Sequence, residues 1–304
     1  MIVTPTLFIL GAGASAPFGY PTSIKLREDI LTRQNEVDIV NALNPDPRYY
    51  ASEPFEKTLT EFLDEFSRSS VYSIDAFLEF RTKFMDIGKI NIAAFLIKHE
   101  EDTRLREANG NWYMYLYDRL KSSFEDFDKN KISFITFNYD RSLEQFLFEA
   151  IRSRFDKSPS ECAEKLKNIP IVHLYGQLDF LPWQGKEGKE YSPKKNLTER
   201  LRAAPNNIKL ISDERDIAKS DEFQNAYRLI HNARRIFFLG FSFDETNLER
   251  LDISHMVDHA HVISSAKGLE PAKERWVQRY FKEQINLYAH RDALSLLQDN
   301  LEIE

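Results

Sequence analysis

The chain has 304 residues, of which 42% are hydrophobic and 13% aromatic, a composition that excludes a disordered protein and allows one large domain or two ordinary ones. Its 41 basic and 48 acidic residues give a net charge of −7, which excludes a global positive field for nucleic acid or an anionic membrane. The single cysteine, Cys162, excludes internal disulfides and cysteine-rich zinc sites. No apolar run approaches the roughly 20 residues that span a bilayer, and no signal-peptide pattern is present, so we expect a cytoplasmic protein that does not bind membranes.

The first predicted element is a buried strand at residues 6–10, which runs directly into the glycine-rich turn Gly11-Ala12-Gly13-Ala14-Ser15. A strand followed by Gly-x-Gly is typical of a loop that approaches a pyrophosphate closely. Small residues that serve only tight packing are the alternative. A hydride-transfer enzyme would have a second strand ending in an acidic residue about 20 residues later. That strand is missing, because prolines interrupt the chain at residues 17–21 and a helical pattern begins at Ile24, which disfavours this class.

The next hundred residues are predicted to be mainly helical, because apolar residues recur at helical spacing among charges. Amphipathic stretches lie around residues 55–68, 74–85, 90–99 and 112–127. Asn44-Pro45-Asp46-Pro47 predicts a break between two helices. The aromatic run at residues 112–117 either buries a second small core or forms an oligomerisation surface.

After Lys131, short apolar runs alternate with helical stretches, which predicts parallel strands joined by right-handed crossovers. The runs are residues 132–137, 169–174, 235–239, 261–263 and 285–288. The expected fold class is therefore α/β, with a Rossmann-like, doubly wound parallel sheet. We expect residues 1–23 and 129–304 to form this domain and residues 24–128 to form an inserted helical module.

Small and polar residues follow each of these strands, at the edge where open parallel sheets bind ligands. They are Gly11 to Ser15, Asn138-Tyr139-Asp140, His173 with Tyr175-Gly176, Gly240-Phe241-Ser242, and Ser264-Ser265. Each cluster alone has a structural explanation: Asp140 and Asp244 suit helix N-caps, and a single histidine is often structural. Five such clusters at one edge favour a nucleotide site.

In this order, the clusters resemble the sirtuin-like (silent information regulator) family, in its bacterial branch, over most of residues 6–265. The similarity extends to Gly19-Tyr20-Pro21-Thr22-Ser23, and Asn138-Tyr139-Asp140 is its most specific part. The resemblance implies a Rossmann-like NAD site in which an asparagine positions the nicotinamide ribose or the attacking water and a histidine acts as base. These catalytic roles fall on Asn138 and His173. The residues predicted to contact NAD are Gly11, Ala12, Gly13, Ser15, Thr22, Asp140, Tyr175, Gly176, Gly240, Ser242 and Ser264.

The sequence departs from the family pattern in two places. Deacylases of the family carry a four-cysteine zinc module after the histidine segment and Asp-Phe-Arg after Gly-x-Pro. Here the interval at residues 177–232 is charged and polar and lacks cysteine, and Thr22-Ser23 replaces Asp-Phe-Arg. This disfavours deacylation and leaves NAD cleavage. The family histidine also directly precedes glycine, where Tyr175 stands here, so Tyr175 competes with His173 for the base position. Residues i and i+2 of a strand face the same side, so we expect that His173 can still point into the site.

The expected function is hydrolysis of NAD+ to nicotinamide and ADP-ribose, with NAD as substrate and no metal. The resemblance to bacterial antiphage effectors implies NAD depletion in abortive infection, gated by homo-oligomerisation or by a partner. Among the family's partners, a HerA-type ATPase is preferred here to an Argonaute-type protein, and sequence-specific nucleic-acid binding is not expected. The alternative is a non-catalytic sensor that binds NAD or ADP-ribose.

Overall fold

Six parallel strands form one sheet in a computed structural model that describes residues 1–43, 55–185, 187–210, 219–255 and 257–302. The strand order is β3-β2-β1-β4-β5-β6, so the predicted Rossmann-like α/β fold is confirmed. The strands are β1 (Thr6–Leu10), β2 (Ile132–Thr136), β3 (Ile171–His173), β4 (Arg235–Leu239), β5 (His261–Ser265) and β6 (Ile285–Tyr288). The break predicted at Asn44-Pro45-Asp46-Pro47 lies outside the described residues.

Eight helices lie between β1 and β2 in the described part of the chain. They are α1 (Ala12–Ser15), α2 (Ser23–Leu31), α3 (Glu36–Leu43), α4 (Phe55–Arg68), α5 (Ile74–Phe80), α6 (Met85–Ile97), α7 (Asp102–Glu107) and α8 (Trp112–Arg119). The helix predicted at 55–68 is found with those bounds as α4. The stretch predicted at 74–85 divides, because α5 is followed by a separate 3₁₀ turn, Thr82–Phe84, and the stretch predicted at 112–127 ends its helix at Arg119.

The remaining helices connect the later strands. They are α9 (Ser142–Phe155) and α10 (Pro159–Lys167) before β3, α11 (Leu197–Asn207) and α12 (Asp221–Asn232) before β4, α13 (Glu245–Leu251) before β5, α14 (Pro271–Tyr280) before β6, and α15 (Ala293–Asn300) after it. None of the helices in the described ranges combines the length and apolar character of a membrane span.

The strand β1 lies at the centre of the sheet and is fully buried. Phe8 is in register with Phe134 of β2 and with Phe237 of β4, and its ring stacks on both, with centroids 5.2 and 5.5 Å apart. This pairing aligns the carboxyl ends of the three central strands at one edge of the sheet.

The two faces of the sheet pack against different helices. Because side chains alternate along a strand, Phe8 faces a buried cluster that contains the inserted helices, whereas Leu7 and Ile9 face a second cluster with α12, α13 and α14. Trp112 and Tyr113 of the aromatic run belong to the first of these clusters. The aromatic run therefore packs in the core on one face of the sheet. Its described residues do not form a separate second core.

A network of buried charges joins the insertion to the rest of the chain. Arg141 directly follows Asp140, and its Nε and Nη2 donate to the two carboxylate oxygens of Glu100 at 2.8 and 2.9 Å. The remaining N–H groups donate to the main-chain carbonyls of Phe180, Lys189 and Glu190. All five guanidinium donors are thus engaged.

A second buried arginine, Arg200 of α11, completes this network. Its Nη2 donates to Glu100 at 2.7 Å, its Nε to Asp179 at 2.5 Å and its Nη1 to the carbonyl of Ser192 at 3.1 Å. Buried charges are tolerated when they are paired and hydrogen bonded in this way. The network therefore attaches the segment after β3 to both the sheet and the inserted helices.

Candidate functional site

The candidate site lies at the carboxyl ends of β1 and β4, where the strand order reverses and doubly wound sheets bind ligands. Here the turn after β1 touches the turn after β4 through main-chain atoms. Gly13 N donates to Gly240 O at 3.0 Å, and a Cβ atom on Gly11 would lie 2.6 Å from the same oxygen. Tight packing is thus a sufficient physical reason for glycine in this turn, and the Gly13 amide is directed to Gly240.

Two adjoining cavities open above this contact. The larger, about 640 Å³, lies over β4 and β5 and beside Thr22, within the roughly 300–1,000 Å³ of typical ligand pockets. The smaller, about 150 Å³, lies over β1 and β2 and is lined by Asn138 and Tyr175. Ala12 and Ser242 belong to both linings. The two cavities therefore adjoin, and together they are called the cleft below, the larger being its wide end and the smaller its narrow end.

Asn138 is the best defined side chain of the smaller cavity. Its Nδ2 donates to Gly11 O and to Ser15 Oγ, each at 3.0 Å, and its main-chain N donates to Thr136 Oγ1. A carbonyl oxygen only accepts, so the contact with Gly11 fixes which amide atom is the nitrogen. Both amide hydrogens are used, and Oδ1 remains as the side-chain atom with no hydrogen-bond partner among the described residues.

Asp140 holds the glycine turn and α9 together from inside the protein. Its Oδ2 accepts from Ser15 Oγ at 2.7 Å, and its Oδ1 accepts from the main-chain N and the hydroxyl of Ser142. Burial raises the pKa of Asp140, although these donors oppose the shift. Asp140 stands one residue before the N-cap position of α9, Arg141, and accepts from the first N–H of that helix, whereas Asp244 caps α13 as predicted.

His173 is turned away from the cleft. Its Nδ1 contacts the carbonyl oxygen of Asn138 at 2.9 Å and its Nε2 contacts Glu144 Oε1 at 2.6 Å, and the residue lines neither cavity. Burial alone would lower the pKa of His173, but the Glu144 carboxylate, the Asn138 carbonyl and Asp140 together outweigh burial and the net shift is upward. The charged imidazole donates from both nitrogens, so this arrangement does not present a base to a ligand.

Tyr175 does line the smaller cavity. It does not share the direction of His173, because β3 ends at His173 and the alternation of a strand does not continue. The hydroxyl of Tyr175 donates to Asn247 Oδ1 at 2.7 Å, and burial raises its pKa to about 12. Gly176 lies outside both linings and has a φ of 74°, where an added Cβ would meet the carbonyl oxygen of Asn207.

Of the remaining predicted residues, some line the larger cavity and one is buried away from it. Gly240 and Thr22 line the larger cavity, whereas Ser264 is fully buried and donates to the carbonyl of Ser265. Ser265 lines the larger cavity instead, and its hydroxyl accepts from Gly240 N at 3.0 Å. Of the two serines at this strand end, Ser265 lines the larger cavity and Ser264 does not.

The two ends of the cleft differ in charge, because Lys267 lines the larger cavity. Among the described residues that line the smaller cavity, Asp75 and Asp140 are carboxylates and no side chain is cationic. Phe137, Tyr175 and Phe241 add aromatic surface there. Such a lining suits a flat ring with positive charge. No group of three or more potential metal ligands occurs in the described ranges.

Comparisons with known proteins add no relative. No protein-family model matches the chain, and no curated protein matches it significantly. The sirtuin-like resemblance therefore remains a prediction that rests on the motifs.

Several cleft residues escaped the sequence analysis. Tyr72, Ser73 and Asp75 come from the start of α5, and Asn109 comes from the loop before α8. They follow no strand, so no strand-end pattern could have indicated them. Lys267 lies two residues beyond β5, and inspection of a longer segment after that strand would have found it.

Proposed function

We propose that the chain is an NAD+ glycohydrolase that releases nicotinamide and ADP-ribose. The observation that carries this proposal is Asn138, whose Nδ2 is held by Gly11 and Ser15 while its Oδ1 has no described partner. It lines the smaller cavity, whose lining shares Ala12 and Ser242 with the larger one. An oriented acceptor at this point is what a ribose hydroxyl or an attacking water requires.

The shape and charge of the cleft support a dinucleotide. A cavity of about 150 Å³ admits a single benzene-sized ring, which matches nicotinamide. The nicotinamide of NAD+ is cationic, and the smaller cavity offers carboxylates and aromatic rings without a cationic side chain. The ADP-ribose part would occupy the larger cavity over β4 and β5.

The reaction requires little beyond binding and orientation. The bond between ribose C1′ and the nicotinamide nitrogen breaks, nicotinamide leaves as a neutral molecule, and positive charge develops on the ribose. Water then bonds to C1′ and releases one proton. Asn138 would orient the ribose or this water, and Ser15 and Asp140 would keep Asn138 and the glycine turn in place.

A chromatographic assay of NAD+ consumption tests the proposal. The purified chain, alone and with candidate activators, is incubated with NAD+, and nicotinamide and ADP-ribose are quantified. Equimolar release of both by wild type supports the proposal. Acyl-ADP-ribose formed only with an acetylated peptide would instead indicate a deacylase, which the absence of cysteines from residues 177–232 disfavours.

A non-catalytic NAD or ADP-ribose sensor is the second candidate. Its support is the state of the two predicted bases: His173 has both ring nitrogens engaged, and the pKa of Tyr175 is about 12. Neither accepts a proton from water near neutral pH. Saturable NAD+ binding by calorimetry without nicotinamide release, under every activating condition, would favour the sensor.

We also propose that the activity serves antiphage defence by depleting NAD, with gating by self-assembly or by a HerA-type ATPase. The support is the resemblance of the motifs at Gly11–Ser15 and Asn138–Asp140. Size-exclusion chromatography with light scattering, with and without the co-expressed ATPase, tests this gating. Nicotinamide release that rises with assembly is the expected result, and full activity of a monomer would contradict it.

A further inference from the structure

One carboxylate of the smaller cavity comes from the inserted helices. Asp75 is the second residue of α5, whose first turn is fixed by Ser73, because Ser73 Oγ accepts from Ala76 N at 3.1 Å. Asp75 is half-buried and lines the same cavity as Asn138. The insertion therefore supplies an ionisable group to the place assigned above to nicotinamide.

The side chain of Asp75 is tied to the motif after β2. The hydroxyl of Tyr139, the residue after Asn138, lies 3.1 Å from the carbonyl oxygen of Lys209 and 3.3 Å from Asp75 Oδ1, so its single hydrogen is shared between these two acceptors. A hydroxyl that donates to a carboxylate favours the charged form. The contact thus couples the position of Asp75 to the residue next to Asn138.

The other acid–base groups near this cavity are more deeply buried than Asp75. Asp140 is buried and accepts from Ser15 and Ser142, and His173 faces Glu144 behind the cavity. Of the two carboxylates in the lining, Asp75 is the one that is partly exposed. It is therefore the carboxylate that a substrate in this cavity would reach.

We propose that Asp75 is a catalytic carboxylate of this NAD+ glycohydrolase, an inference that rests on the function proposed above. As the C1′–nitrogen bond breaks, its electron pair stays with nicotinamide, and the negative charge of Asp75 stabilises the positive charge on the ribose. The oxygen of water bonds to C1′, and the proton it loses passes to Asp75 and then to solvent. The products are nicotinamide, ADP-ribose and one proton.

The test compares Asp75→Asn with Asp86→Asn. Asp86 is an exposed aspartate in the first turn of the next long helix, α6, and lines neither cavity. We expect Asp75→Asn to lower kcat on the order of 10²–10⁴-fold, with the affinity for ADP-ribose and the melting temperature close to wild type. Asp86→Asn should retain wild-type kcat. If Asp75→Asn unfolds, Asp75→Ser provides the same comparison.

The pH profile gives a readout that a structural role would not change. Tyr139→Phe removes a hydroxyl that contacts Asp75, so the acidic limb of the pH dependence of kcat should move to higher pH. A folded Asp75→Asn variant with kcat within about threefold of wild type, or an unmoved limb in Tyr139→Phe, overturns the assignment of Asp75 alone. A wild-type chain that binds NAD+ but never releases nicotinamide overturns both proposals.

Discussion

The ends of β2 and β3 are neighbours in the sheet, and each carries a residue that the sequence motifs assigned to catalysis. Asn138 follows β2, uses its amide nitrogen to hold the glycine turn and leaves Oδ1 without a described partner. His173 ends β3 and has both ring nitrogens engaged by Asn138 O and Glu144. A motif thus locates a residue at the correct edge, but the surrounding donors and acceptors decide whether its reactive atom is available.

Among substitutions at the ends of β2 and β3, the largest effect should come from Asn138→Ala. Loss of the oriented Oδ1 should lower the rate of nicotinamide release on the order of 10²–10³-fold, measured by chromatography on protein of unchanged circular dichroism. Asn232→Ala, at an exposed position at the end of α12, is the matched control. Normal turnover by Asn138→Ala would contradict the assignment of a catalytic role to Asn138 rather than to His173.

His173→Ala should mainly reduce stability. It leaves the buried Glu144 carboxylate without its partner, which typically costs about 3–5 kcal/mol, and urea denaturation measures this loss. Because the Asn138 carbonyl also loses its donor, activity should fall, yet the shape of the pH–rate profile should stay. If His173→Ala is as stable as wild type and its rate no longer depends on the deprotonated form of an enzyme group, His173 is instead the base.

Ser15→Ala should have an intermediate effect. It removes the donor to Asp140 and the acceptor of Asn138, so we expect about 1–3 kcal/mol of destabilisation and a lower kcat. Ser264→Ala, at a buried serine outside both cavities, should leave kcat unchanged. Equal effects of the two substitutions on kcat would mean that Ser15 does not act through Asn138.

The smallest expected effect is a change of the unfolding free energy with pH. The folded pKa of His173 is raised, since Glu144, the Asn138 carbonyl and Asp140 together outweigh the opposing effect of burial. The stabilisation by the His173–Glu144 pair is therefore complete below the unfolded pKa of about 6.5 and is lost as pH rises through the folded value. The difference in unfolding free energy between wild type and His173→Gln should shrink from about pH 6 to pH 9. A difference that grows over this range would refute the raised pKa.

Most of the fold was predictable because strands and helices differ in hydrophobic period. The apolar runs at residues 6–10 and 235–239 became β1 and β4 with unchanged bounds. Helix ends were less predictable: the stretch at 112–127 stops at Arg119, and tertiary packing rather than periodicity determines such an end.

The candidate site was predictable only where strand order determines it. Gly11, Asn138 and Ser242 follow strands whose carboxyl ends meet, and this follows from the parallel topology. The direction of His173 depends on Glu144, which lies on α9, and no local pattern reports that contact. Asp75 depends on how the insertion folds back over the sheet, which is a property of the whole chain.

The buried network around Glu100 has a consequence for how the chain folds. Glu100, Arg141 and Arg200 lie up to 100 residues apart in the sequence and form one set of buried ion pairs. An intermediate that buries only part of this set would hold an unpaired charge in a region of low dielectric constant. The inserted helices, the helix after β2 and the segment after β3 should therefore assemble in one cooperative step, and excision of the insertion would leave two arginines without their shared carboxylate.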